Sequence, residues 1–172
     1  MGLDIIVNFR EEIKYDERQL EFAPFSRGLT NFIIQHVHRD TLGPNSLLLR
    51  VQTIIGVDIE FLTEPNLYDY KVCDMQLEFA EDNEKERLVK LQLELDKEAY
   101  KAWYPIGEYL NKLEKVIAAI LASDKMSTLD YDRKRMLNYF DNGDFIKDLK
   151  GLQTVLVSAQ NQNQKDFSFL IE

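Results

Sequence analysis

Residues Pro105 to Asp124 read PIGEYLNKLEKVIAAILASD. Ile106, Tyr109, Leu110, Leu113, Val116, Ile117, Ile120 and Leu121 recur in it at helical spacing. They make one apolar stripe, as a helix lying on a core requires. Glu108, Lys112, Glu114 and Lys115 fall off the stripe and are expected in water. Pro105 suits the first turn, where its missing N–H costs nothing and its φ is already helical. Ser123-Asp124-Lys125 breaks the pattern. An ordinary core helix explains the whole stretch, with Tyr109 as a core residue whose hydroxyl reaches the edge.

Toward the N-terminus, Ala99 to Tyr104 leads into this helix and is expected to bring Trp103 to it. Before it, Met75, Leu77 and Phe79 alternate with polar residues, and so do Val89, Leu91, Leu93 and Leu95. The charged run Glu81 to Arg87 lies between. Strict period-two alternation predicts two strands joined as a hairpin with a long solvated loop. The Glu, Lys and Leu content favours helix instead, so period and propensity conflict here, and we follow the period. Val57 to Leu62 reads as a short strand or extended segment before Pro65. Leu47, Leu48, Val51, Ile54 and Ile55 repeat at helical spacing between a capping Ser46 and Gly56, placed as a C′ glycine. Phe25 to His38 is a further helix, with Leu29, Phe32, Ile33 and Val37 on one face. Ile13, Tyr15, Leu20 and Phe22 suggest a ragged strand that Pro24 ends, and Leu3 to Phe9 a buried strand rich in β-branched residues.

Toward the C-terminus, Ser127 to Phe140 reads as a helix with Leu129, Met136, Leu137 and Phe140 on its apolar side. Asn142-Gly143-Asp144 is a turn whose Asp144 is placed to cap the next helix. Phe145, Ile146, Leu149, Leu152 and Leu156 carry that helix to about Gln160. Phe167 to Ile171 reads as a final strand, expected beside the N-terminal one. The fold class is therefore α+β: one domain over residues 1–172, with about four helices packed on a small antiparallel or mixed sheet built from the two chain ends and the 75–95 hairpin.

The 172 residues suffice for a real core, and the balance of 45% apolar and 30% charged residues is ordinary for a globular chain. The formal net charge of −9 argues against nucleic acid or an anionic membrane as the main partner, because both repel an acidic surface. Cys73 is the only cysteine, which excludes an internal disulfide. No apolar run approaches membrane-spanning length, so a cytoplasmic protein is expected.

Signals for chemistry are sparse. His36 and His38 are the only histidines. Two apart on a helix, they point in different directions and cannot chelate together. Cys73 stands without a nucleophile motif, and no phosphate-binding glycine motif is present. No metal, cofactor or catalytic set is expected. The paired carboxylates Glu11/Glu12, Asp16/Glu17, Glu81/Asp82 and Asp130/Asp132 sit among charges of both signs, as a solvated face does.

What remains is aromatic and acidic. Tyr68, Asp69, Tyr70, Asp82, Glu84, Trp103, Asp130, Tyr131 and Asp132 have the make-up of a surface that steers and anchors a basic protein. The expectation is a non-enzymatic binding protein, an acidic inhibitor masking a basic partner such as a nuclease. Size, acidity and α+β pattern resemble those of bacterial toxin-immunity proteins in general terms, a likeness that rests on no motif. Two other readings stay open. One is an enzyme or small-ligand binder with a dispersed site around His36, Arg39, Cys73 and Trp103. The other is a homodimer or larger assembly paired through a strand edge at Leu3–Phe9 or Phe167–Ile171.

Overall fold

A computed structural model describes residues 5–14, 27–34, 46–67, 70–72, 74–129, 139–140 and 142–171. Within them the chain is α+β. Strand β1 is Ile5–Phe9. Helices α1 (Arg27–Ile34), α2 (Leu47–Ile55), α3 (Asp74–Phe79) and α4 (Asp82–Glu98) follow. Then come the two-residue strand β2 (Tyr104–Pro105), helix α5 (Ile106–Ala122), helix α6 (Asp144–Asn161) and strand β3 (Asp166–Ile171).

The sheet order is β1-β3-β2, antiparallel throughout. The two terminal strands pair as expected, Ile5 facing Ile171 and Phe9 facing Phe167. The third strand is not the expected one. Tyr104 pairs with Phe167 and Pro105 with Asp166, and just beyond them Asn66 forms a parallel bridge to Phe169. Leu67 N–H donates to the Phe169 carbonyl at 3.0 Å, and Phe169 N–H donates to that of Pro65. Phe167–Ile171 is therefore a central strand with no open edge along Phe167–Phe169. Of the two edges considered for self-association, β1 alone lies at the margin of the described sheet.

The core forms on the face of β3 that carries Phe167 and Phe169, both fully buried. Period two puts Ile5, Val7 and Phe9 of β1 on that face with them. Helix α5 lies across it with Ile106, Tyr109, Leu113, Val116, Ile117 and Ile120 buried, six of the eight residues of the predicted stripe. Leu110 is half-buried and Leu121 is exposed. Pro105 stands one place before the helix, in β2, with φ −62° and ψ 122°. There its missing N–H breaks no helical bond, and the fixed φ serves both elements. Helix α6 packs beside α5 and α1 and buries Phe145, Leu149, Leu152, Val155, Leu156 and Ala159.

Helix ends follow local chemistry. Ser46 Oγ accepts from Leu49 N–H at 3.3 Å, and Gly56 closes α2 at φ +67°, its N–H donating to the Gln52 carbonyl at 2.8 Å. Asp144 does not cap α6. Gly143 holds the cap position, and Asn142 Oδ1 accepts from Asp144 N–H at 3.0 Å. After α6, two amides bind the chain that leaves β1. Gln162 Oε1 accepts from Lys14 N–H and its Nε2 donates to Lys14 O, both at 2.8 Å, while Gln164 Nε2 donates to Glu11 O at 3.3 Å. Ile13 is buried beside this connection rather than placed in a strand.

The 75–95 segment is helical, in two pieces, where alternation predicted a hairpin. Seventeen residues rich in Glu, Lys and Leu gain more from intrahelical bonds than from a pleated surface with no partner strand. The Val57–Leu62 segment is not a strand either, since Glu60–Thr63 is a 3-10 turn closed by Leu62 N–H donating to Ile59 O at 3.1 Å. Of the predicted Ser127–Phe140 helix, Met126–Thr128 is a 3-10 turn, and 130–138 lie outside the described residues, as do 15–22 of the ragged strand.

Gly28 of α1 sits against Tyr139. A Cβ there would lie 2.3 Å from the ring carbon Cε2. Helix propensity alone predicts that Gly28→Ala stabilises by about 1 kcal/mol. The packing predicts the reverse, a net loss of about 1–3 kcal/mol from overpacking. Chemical denaturation of the two proteins checks the sign.

Candidate interaction surface

Helix α4 is 17 residues long and buries only Leu88. Its alternating apolar series explains why. Successive even steps along a helix turn by about 200°, so Val89, Leu91, Leu93 and Leu95 cannot share one face. Leu88, Gln92 and Leu95 turn toward the protein, buried or half-buried. Val89 is 53% exposed, Leu93 57% and Leu91 45%. Phe79, at the end of α3, is 78% exposed, and Tyr100, in the 3-10 turn Ala99–Ala102 after α4, is 65% exposed.

Gln92 moors the helix. Its Oε1 accepts from Val72 N–H at 2.7 Å, and its Nε2 donates to the Tyr70 carbonyl at 3.1 Å and to Asp96 Oδ1 at 2.6 Å. One amide thus satisfies backbone groups of the preceding segment, as a neighbouring strand would. Lys97 pairs with Glu94 at 2.6 Å, and Lys101 pairs with Glu98. Asp82 and Glu84 occupy the exposed first turn of α4, where carboxylates suit the helix dipole.

Of the nine acidic and aromatic residues singled out in the sequence, Asp82 and Glu84 therefore lie together on α4. Tyr70 is half-buried, with its carbonyl held at the middle of that helix. Tyr68, Asp69, Asp130, Tyr131 and Asp132 lie outside the described residues, as do His36, His38, Arg39 and Cys73. Trp103 belongs to a different group, beyond the far end of α4, about 25 Å of helix from Asp82. The Arg10 guanidinium lies 4.0 Å from its ring centroid and binds Asp166, Nε to Oδ1 at 2.9 Å and Nη2 to Oδ2 at 3.2 Å. The Trp103–Arg10–Asp166 stack joins the segment before β2 to both terminal strands.

A second polar group stands at the start of α5. Lys112 Nζ donates to Tyr104 Oη at 2.6 Å and lies 3.0 Å from Glu108 Oε1, while Tyr104 Oη donates to Glu108 Oε1 at 2.9 Å. Hydrogen bonds to Tyr104 and Glu108 hold the lysine well above its ordinary value. The same Lys112 bond, aided by that of Tyr104, holds Glu108 below the usual carboxylate range. Burial pushes the Tyr104 phenol up, with the Lys112 bond opposing it, and burial pushes Tyr109 up much further. The Lys112 and Glu108 bonds brace Tyr104 of β2 against the first turns of α5. Among the described residues no three His, Cys, Asp or Glu side chains converge as metal ligands, and no helix is long and apolar enough to cross a membrane.

No protein-family model, curated protein or solved structure matches this chain. Helix α4 presents the exposed face described above. Sequence reasoning found its acidic end but assigned Val89, Leu91 and Leu93 to the core side of a strand. The missed signal is the spacing of Asp82, Glu86, Val89, Leu93, Asp96 and Tyr100 in alternating steps of four and three, visible once the segment is wound as a helix. Arg10 was missed because its partners are remote in sequence.

Two outcomes follow. Trp103 is the only tryptophan, so its fluorescence reports the Arg10 stack directly. Arg10→Ala is expected to shift that emission while costing less than about 1 kcal/mol, since the guanidinium is half exposed. The Glu108–Lys112 pair gives a two-sided pH dependence. The Glu108 contribution is present above the ordinary carboxylate pKa and lost as pH falls through the lowered folded value. The Lys112 contribution is complete below the ordinary lysine pKa and lost as pH rises through the raised one. Glu108→Gln should flatten the acid limb of a stability–pH curve and Lys112→Met the alkaline limb, measured by urea midpoints.

Proposed function

We propose that this protein is a non-enzymatic binding protein, an inhibitor of the immunity type, that masks a basic protein with the exposed face of α4. One observation carries the reading: α4 buries a single side chain, while Val89, Leu93 and Tyr100 stay exposed at helical spacing with Asp82, Glu86 and Asp96. Large apolar side chains aligned along one exposed helix face mark an interaction site more often than a solvated helix does. Carboxylates around them speed encounter with a positively charged surface and reject acidic competitors. The chain's net charge of −9 acts in the same direction over longer range.

The division of labour follows interface energetics. Val89 and Leu93 would supply the desolvated anchors, and Asp82, Glu86 and Asp96 the rim that sets on-rate and salt sensitivity. The Trp103–Arg10–Asp166 stack has its own partners already and plays a structural part in this account.

Affinity capture of the tagged protein from its native lysate, at low and high salt, tests the reading. A basic protein should be retained at low salt and weakened at high salt. Val89→Glu with Leu93→Glu should reduce that retention at least tenfold while leaving the far-UV CD spectrum unchanged. Retention that ignores both salt and the substitutions would overturn the assignment of this surface.

A further inference from the structure

The six residues Asp82, Glu86, Val89, Leu93, Asp96 and Tyr100 are all exposed. Their alternating steps of four and three are the spacing by which one helix presents a seam to another. The seam reads acid, acid, apolar, apolar, acid, aromatic over about 27 Å. No cation lies on it, and among the described residues the flanking Lys85 and Lys90 make no ion pair with its carboxylates. Lys97 and Lys101, the basic residues nearest its C-terminal end, are engaged by Glu94 and Glu98. Among the described residues Asp82 and Glu86 have no ion pair, and Asp96 accepts only the neutral Gln92 amide. From this we infer that the occupant of the α4 seam is a basic amphipathic helix of the partner, laid along α4 with Lys or Arg against the three carboxylates and Leu-like side chains against Val89 and Leu93. The inference rests on the reading of α4 as the binding surface and specifies what binds there.

A second copy of this chain fits poorly. An antiparallel copy centred between Val89 and Leu93 sets Val89 against Leu93 but Glu86 against Asp96, twice over. A parallel copy sets every carboxylate against itself. Both arrangements place like charges across a desolvating contact, which costs affinity. An extended partner strand fits no better, because α4 offers no unpaired backbone edge, and side chains spaced at period two would not follow a seam of steps three and four. A helix with the complementary pattern meets both the spacing and the charge.

The test uses the full chain and a designed peptide. The peptide is helix-forming, with a Lys-Lys-Leu-Leu-Lys seam at heptad spacing. A control has the same composition in scrambled order. Fluorescence anisotropy should show the ordered peptide binding at least tenfold tighter than the scrambled one, with helix induced in the bound peptide. Val89→Glu with Leu93→Glu should abolish binding. Glu86→Lys should weaken it about tenfold, and a peptide carrying Glu at the matching position should restore it, which a merely misfolded variant could not do. Equal binding of ordered and scrambled peptides, no binding of either, or failure of the charge swap would overturn the inference. Sedimentation of the free protein covers the remaining occupant: a dimer lost on Leu93→Glu would overturn the basic-helix assignment in favour of a second copy. If the ordered peptide fails while lysate capture still depends on Val89 and Leu93, the surface is right and its occupant is not a helix. If both fail, the binding-surface reading falls with it.

Discussion

The ring of Tyr109 is the pivot of the fold. It is fully buried, and its edge-to-face neighbours come from three separate places in the chain: Phe61 at 4.9 Å, Tyr104 at 5.5 Å, and Phe167 and Phe169 at 4.9 and 6.4 Å. Its hydroxyl has one acceptor, the Leu62 carbonyl at 3.5 Å. A buried phenol without an acceptor is costly, so the 3-10 turn at Glu60–Thr63 has to sit over it. That turn leads directly to Pro65–Leu67, which docks on β3. The aromatic group thereby sets the sheet as well as the helix, since the face of β3 that meets Tyr109 is the one that β1, β2 and Asn66 hold in register.

Helix α4 lies outside this arrangement. Leu88 and Val72 are buried, yet neither belongs to the main core cluster. Among the described residues the helix's hydrogen bonds to the preceding segment come from Gln92, and the turn Ala99–Ala102 joins it to β2. Two kinds of helix thus coexist in one chain. Helix α5 has a stripe wide enough to be consumed by the core, and α4 has apolar residues distributed around more of its circumference than one contact can cover.

That difference decided what could be read from the sequence. The α5 stripe, the Ser46 and Gly56 ends of α2, the α6 periodicity and the pairing of the terminal strands were legible, because each is written in local spacing or in a residue with one conformational use. The 75–95 segment was not, because Val89-x-Leu91-x-Leu93-x-Leu95 satisfies the strand template in full and the helix template in part. Propensity and the lack of a partner strand settled it, and a partner strand is a tertiary fact. Asp82 and Glu84 were recognised as surface because charge reads the same in either conformation. Val89 and Leu93 were not, because exposure of an apolar residue depends on which face the core uses. The Arg10–Asp166 contact and the Lys112–Tyr104–Glu108 group have long-range geometry or mixed partners that spacing does not encode.

The position of β3 carries a kinetic consequence. Ile5 meets Ile171, so the first described strand waits for the last. Closing so long a loop makes the sheet an intrinsically slow, late event. Helix α4, whose bonds are local, has no such delay. Its winding and the closure of the sheet are therefore separable steps, one set by near neighbours in sequence and the other by the meeting of residues 5–9 with 167–171.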